Sequence, residues 1–197
     1  MKRTLPATLA ATFSRTLTGV LATLALVTAS HAATYEQVIP ERSRIGFGFQ
    51  QMGVAMEGSF RRFASQLKFD PAAPADAHAT IEVELASVDT GSVEGDEEVA
   101  RKTWFNTSDF PVARFESSAV KALGGERYEV AGKLTIKGTT RDVVVPARFT
   151  TEGDVGVFEG ELGIRRGDFS IGEGAWRAFD VVANEVVIRF RIAAAPR

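Results

Sequence analysis

Few residues of the 197-residue chain have the type and spacing for bond-making chemistry. There is no cysteine, which excludes thiol catalysis, disulfide scaffolds, Fe–S clusters and Cys-ligated zinc. Of the two histidines, His31 falls in the N-terminal leader, so His78 stands alone. It sits in a polar stretch between Ala77 and Ala79 and reads as a solvated loop residue. A lone His without an acidic pair at metal spacing makes no zinc site. No serine occupies a G-x-S-x-G elbow, and no glycine-rich loop precedes a helix to cradle a phosphate. Glu82 and Glu84 alternate with Ile81, Val83 and Leu85, which places both carboxylates on a wet strand face. Glu94, Asp96, Glu97 and Glu98 suit the start of a helix, where acids complement the helix dipole. Arg165-Arg166-Gly167-Asp168-Phe169 sets an Arg and an Asp two apart. That spacing serves an ion pair or a barrel rim, with contact to a ligand head as the second reading.

What the chain does supply is apolar surface. It has 14 Phe against two Tyr and two Trp. Phe carries a large hydrophobic ring with no polar tip to satisfy. Phe47, Phe49, Phe60, Phe69, Phe115, Phe149 and Phe190 fall on the apolar faces of strands and are expected to converge on one interior. Whether the rings fill that interior or line a cavity stays open at this point. An eight-stranded barrel is about the size at which an interior either just fills with side chains or holds one small ligand.

The elements that must position these rings are strands. Ile45, Phe47 and Phe49 alternate with Gly46 and Gly48. Ala113, Phe115 and Ser117 alternate with Arg114 and Glu116. Val130, Gly132, Leu134 and Ile136 alternate with Ala131, Lys133 and Thr135. Ile188, Phe190 and Ile192 alternate with Arg189 and Arg191. Strict alternation marks antiparallel strands with one dry face. Eight strands are expected, at roughly 34–51, 54–70, 78–90, 111–121, 127–137, 140–152, 156–171 and 180–194. Residues 70–76 form the one loose loop. A short helix is expected over 95–102, capped by Asp96. The fold class is therefore all-β with one short helix, a sandwich or a barrel of about eight antiparallel strands, and the length of the first, second and seventh strands favours the barrel.

Residues 1–32 contain no acid, begin with Lys2 and Arg3, continue through an apolar run at 17–29, and end in Ser30-His31-Ala32. That order predicts a cleaved Sec-type signal peptide, an exported and periplasmic protein, and a mature domain at 33–197. The mature part carries 20 basic against 25 acidic residues. Such a balance argues against a nucleic-acid partner.

In several of these segments the chain resembles the YceI-like family of exported lipid- and polyisoprenoid-binding proteins. The resemblance is carried by Ser43-Arg44-Ile45-Gly46-Phe47 with Met52-Gly53 and Gly58-Ser59-Phe60, and by Ser87-Val88-Asp89-Thr90-Gly91. Trp104-Phe105-Asn106, Phe110-Pro111-Val112-Ala113-Arg114-Phe115-Glu116-Ser117, Gly132-Lys133-Leu134-Thr135-Ile136-Lys137-Gly138 and Arg166-Gly167-Asp168-Phe169 complete it. Gln51 stands where relatives often carry His, and Asp96-Glu97-Glu98-Val99 where they often read Asp-x-His-Leu. The resemblance implies an extended lipocalin-like barrel around an apolar tunnel, with no enzymatic activity. It implies a polyisoprenoid or isoprenoid-quinone tail as ligand, with no other cofactor or metal. A membrane b-type cytochrome is the protein partner it suggests, and a second copy of the chain, forming a homodimer, is the other candidate partner. The residues expected to line the tunnel are Phe47, Phe49, Phe60, Phe69, Leu85, Trp104, Phe105, Phe115, Leu134, Ile136, Phe149 and Phe190. The rival expectation is a non-enzymatic structural or interaction module with a solid core.

Overall fold

The computed structural model describes residues 33–197. The expected signal peptide at 1–32 lies outside the described residues. Eleven strands and one α-helix follow in chain order. They are β1 (Tyr35–Val38), β2 (Arg44–Gln51), β3 (Val54–Phe60), β4 (Phe63–Lys68), β5 (His78–Glu84), β6 (Val88–Asp89), α1 (Val93–Ala100), β7 (Val112–Gly124), β8 (Arg127–Ile136), β9 (Thr139–Glu152), β10 (Val155–Arg165) and β11 (Glu185–Pro196).

All strands join one antiparallel sheet in the order β4-β5-β7-β8-β9-β10-β11-β2-β3-β6, with β1 on β11. The period-two pattern is realised directly. In β7, Ala113 and Ser117 are buried and Phe115 half-buried, while Arg114 and Glu116 between them are exposed. Outward charges pair across the wall, Arg189 with Glu161 at 2.9 Å and Arg191 with Glu159 at 2.8 Å.

The expected closed eight-stranded barrel is corrected to an open, curled half-barrel. The reason lies in three expected strands that break where the backbone changes partner. Pro40, which has no N–H to give a ladder, starts a turn fastened by Ser43 Oγ donating to Ile39 O at 2.7 Å, and so parts β1 from β2. At Arg61-Arg62 the chain leaves β6 for β5, with Arg61 N donating to Ser87 O at 3.0 Å and Glu84 N to Arg62 O at 3.1 Å. A tight turn at Leu85–Ser87 divides β5 from β6. The seam that results is short. β3 meets β6 only at Ser59↔Asp89 and Phe60↔Val88, so residues 54–58 are laddered to β2 alone.

Helix α1 starts two residues earlier than expected and is capped by Ser92, whose Oγ accepts from Gly95 N at 3.0 Å. Asp96 lies inside the first turn instead. Its carboxylate accepts from Thr90 N at 2.6 Å and Thr90 Oγ1 at 2.8 Å, which ties the helix to the strand before it.

The packed core comes in two pieces. One gathers Leu85, Trp104, Ala113, Leu134, Ile136, Phe169, Ile171 and Val182. The other gathers Tyr35, Phe69, Phe149 and Ala194, with Tyr128 and Phe158 against them. Tyr128 and Ile136 stand near opposite ends of β8, about 26 Å apart at the rise of an extended strand. The interior between the two clusters is not filled by protein.

Candidate ligand cavity

A cavity of about 730 Å³ occupies that interior and reaches residues of both clusters. Its size falls within the range of small-molecule sites. Its wall is drawn from the inward positions of most strands and from α1. Eleven of the twelve expected residues lie on it, namely Phe47, Phe49, Phe60, Phe69, Leu85, Trp104, Phe105, Phe115, Leu134, Ile136 and Phe190. Phe149 does not. It is corrected to the packed end cluster, with ring centroids 4.8 Å from Phe69, 4.8 Å from Phe158 and 5.1 Å from Tyr35. It stands directly opposite Phe158, which lines the cavity, and packs against that ring and Phe69 instead of facing the lumen itself. Wall residues left out of the expected set include Ile45, Ile81, Val83, Val130, Leu162, Ile164 and Ile188. They alternate with the same period of two as the rings, and that alternation is the signal that marks them.

The rings stay out of the lumen because glycine stands beside them. Phe190 on β11 lies opposite Gly160 on β10, and a Cβ at Gly160 would come within 2.6 Å of the Phe190 ring. Phe47 lies opposite Gly58 and covers it in the same way. Phe115 on β7 lies diagonally across from Gly132 on β8, where a Cβ would meet its ring at 2.7 Å. Each ring lies against the neighbouring strand where a side chain would otherwise stand, a cross-strand pairing of aromatic with glycine. Phe47 continues into a cluster with Phe49 at 5.9 Å and Phe60 at 5.3 Å.

The polar residues are placed differently from one another. Glu82 pairs with Arg114, and Glu84 accepts from Arg62 Nε at 2.6 Å, so both are engaged on the outer wall. The Arg62 hydrogen bonds hold the Glu84 carboxyl below its ordinary pKa. His78 is not in a loop but begins β5 on the cavity wall, exposed, with its Nε2 3.3 Å from Thr80 Oγ1. Arg166 does not pair with Asp168. It is only 2% exposed, and its guanidinium donates to the carbonyls of Ala183 at 3.1 Å, Ile171 at 2.8 Å, Gly172 at 3.1 Å, Trp176 at 2.8 Å, Ala178 at 3.3 Å and Val182 at 2.8 Å. Its charge sits 5.3 Å from the Trp104 ring centroid and 4.8 Å from that of Phe179. Burial lowers its pKa, yet a guanidinium remains charged at any physiological pH. Nothing in the spacing of Arg166 and Asp168 announced this. Among the described residues, no three His, Asp or Glu come together as a metal site.

A curled antiparallel wall around an apolar cavity defines a binding protein for apolar ligands. The description YceI-like domain matches residues 37–194, and the chain belongs to that family. A UPF0312 protein of Photorhabdus laumondii is 37% identical over 143 residues, 71% of this chain and 74% of that protein. One from Azotobacter vinelandii is 30% identical over 167 residues, 80% of this chain and 87% of that protein. The crystal structure of Burkholderia cenocepacia BcnA superposes with a TM-score of 0.79 at 40% identity, covering 81% of this chain and all of that one. A polyisoprenoid binding domain from Saccharophagus degradans shares the fold, with a TM-score of 0.64 at 16% identity over 85% of this chain and 100% of that chain.

Proposed function

We propose that the chain binds a long apolar lipid, a polyisoprenoid or the tail of an isoprenoid quinone, and sequesters or carries it through the periplasm. The observation that carries this reading is the unfilled apolar cavity of about 730 Å³. Burying apolar chain is worth about 0.8 kcal/mol per methylene, although bound ligands of this size realise nearer 0.3 kcal/mol per heavy atom. A tail of several isoprene units is therefore held without a charged anchor. The eleven wall residues named above, Phe47 through Phe190, are the proposed lipid contacts. Residues 1–32 act as the export signal, with a mature N-terminus at Ala33. A membrane b-type cytochrome belongs to the reading if the ligand head is redox-active, and a second copy of the chain is the other candidate neighbour.

A structural module with a solid core would have no use for the cavity, which disfavours that rival. Native mass spectrometry of protein purified from the periplasm without added lipid tests the choice. Co-purified lipid, released by organic solvent and weighed, is expected. A clean unliganded mass together with no uptake of a prenyl quinone overturns the carrier reading.

A further inference from the structure

The dry face of the β2–β3 hairpin does not end where the cavity ends. Residues opposite each other on a ladder share a face, so Phe47, Phe49 and Gln51 on β2 stand on one face with Gly58, Met56 and Val54 on β3. Phe47, Phe49, Gln51 and Met56 line the cavity. Exposure then climbs toward the turn, from 37% at Met56 to 60% at Val54 and 76% at Met52. An apolar track leads from the lumen to the tip of the hairpin. β6 leaves that track bare, because its two residues ladder to Ser59 and Phe60 only before the chain turns at Gly91 into α1. Seven exposed residues line the cavity, and five of them, Gln51, Met56, Gly91, Ser92 and Glu94, belong to this hairpin and this turn. The cavity therefore reaches the surface here. The other two, Gln66 and His78, are polar and sit on β4 and β5.

The tip presents apolar atoms to the outside. Met52 and Gly53 both take positive φ, as in the tight two-residue hairpin turn. Asn or Gly fits the first of those positions without strain, and a bulky residue there is uncommon. Met52 holds it with its side chain in solvent. Exposed Val181 joins the patch, since Met52 N donates to Val181 O at 2.7 Å and Ala183 N to Gln50 O at 3.0 Å, which braces the tip. From Ile45 to Met56 there is no charged residue. Glu57, next in the chain, alternates onto the other face and lies 3.3 Å from Arg189 Nη1.

Exposed apolar patches mark contacts with proteins or with membranes, and two features favour a membrane. Four apolar side chains, Met52, Val54, Met56 and Val181, are few beside the roughly 20–30 residues a side of a stable protein interface. The patch is also continuous with the cavity. A greasy chain passing along it stays out of water only if what covers the tip is itself apolar and fluid. We infer that the hairpin tip docks on the interfacial layer of a phospholipid bilayer, and that lipid crosses between bilayer and cavity along the Val54–Met56 face. The inference rests on the apolar-lipid reading of the cavity and adds the surface at which cargo is exchanged. Glu94 across the opening and Asp180 beside Val181 are acids, and anionic lipid is attracted by basic clusters. Docking is thus driven by apolar burial and needs no anionic lipid.

The chain has no cysteine, so a single one can be introduced and labelled with an environment-sensitive dye. The dye on Val54→Cys should shift to the blue on vesicles of pure phosphatidylcholine, equally at low and high salt. The dye on Val144→Cys, exposed on β9, should not. In the double variant Met52→Asp/Val54→Asp, uptake of a prenyl quinone from those vesicles should slow about tenfold, from lost apolar burial at the tip, while the affinity for farnesol in solution stays at the wild-type value. Four results each overturn the assignment: no shift at residue 54 on vesicles, a shift that needs anionic lipid and fades in salt, a shift that appears without vesicles as protein concentration rises (a second copy on the β3 edge), or wild-type uptake by the double variant. Failure of farnesol to bind the wild-type protein brings down the apolar-lipid reading as well, whereas farnesol binding without vesicle contact at residue 54 removes only the docking surface.

Discussion

At the scale of single residues, Arg166 joins chain segments that no strand ladder joins. Its guanidinium collects carbonyls from 171–172, 176–178 and 182–183, so one side chain fixes the long connection between β10 and β11. Lysine, a point charge with three donors, cannot serve six acceptors in a plane. Arg166→Lys is therefore expected to cost about 3 kcal/mol or more, from orphaned buried carbonyls, read as a lower urea midpoint. Phe115 makes the complementary case. It lines the cavity at the margin of the first cluster and is only half-buried, so Phe115→Arg should leave circular dichroism and cooperative unfolding near native while lipid retention in native mass spectrometry is lost. Normal lipid stoichiometry in that variant would remove Phe115 from the contact set. Most wall residues were legible from period-two alternation. Arg166 was not, because a cation satisfied by main-chain carbonyls leaves no partner residue at a recognisable spacing.

At the scale of elements, the pairing of Phe with Gly across adjacent strands decides how wide the interior is. Gly160→Ala would drive its new methyl against the Phe190 ring at 2.6 Å and also against the Pro146 carbonyl. Overpacking of this kind costs about 1–3 kcal/mol, and the displaced ring should shorten the longest prenyl chain the protein retains. An unaltered chain-length limit would show that the ring stays flat for another reason. The helix offers a simpler test. Ser92→Ala removes the cap on Gly95 N and should lower stability by about 1 kcal/mol, measured by thermal unfolding. Elements were legible where pattern and partner agree, as in β7 through β9. Strand breaks at Arg61-Arg62 and Leu85–Ser87 were not, because the apolar alternation runs on through a change of neighbour. Phe149 was misplaced for a related reason. Alternation reports which face a residue takes, not which neighbouring rings screen it from the lumen.

At the scale of the whole molecule, the outer wall is a lattice of exposed ion pairs around a dry interior. Glu152 bridges Arg191 at 2.8 Å and Arg42 at 2.7 Å, and the Arg191 hydrogen bonds hold its carboxyl below the ordinary range. Asp89 is lowered first by the Gly91 backbone N–H and then by Arg61. Because these folded-state values are depressed, the stability they lend is complete above the usual carboxylate pKa and drains as pH falls through the lowered ones. Tm should stay flat from about pH 7 to 5 and drop below about pH 4, with the ion-pair share reduced by salt. The curl itself was expected from the sequence, and its openness was not. The short ladder between β3 and β6, at two residue pairs, is the weakest join in a wall whose other main-path seams each carry five or more. A rolled ribbon joined at that edge by two rungs loosens there first, so amide exchange at Ser59 and Phe60 is expected to outpace that of the longer seams; under the lipid-carrier proposal, a chain lifted out sideways there need not be threaded end first.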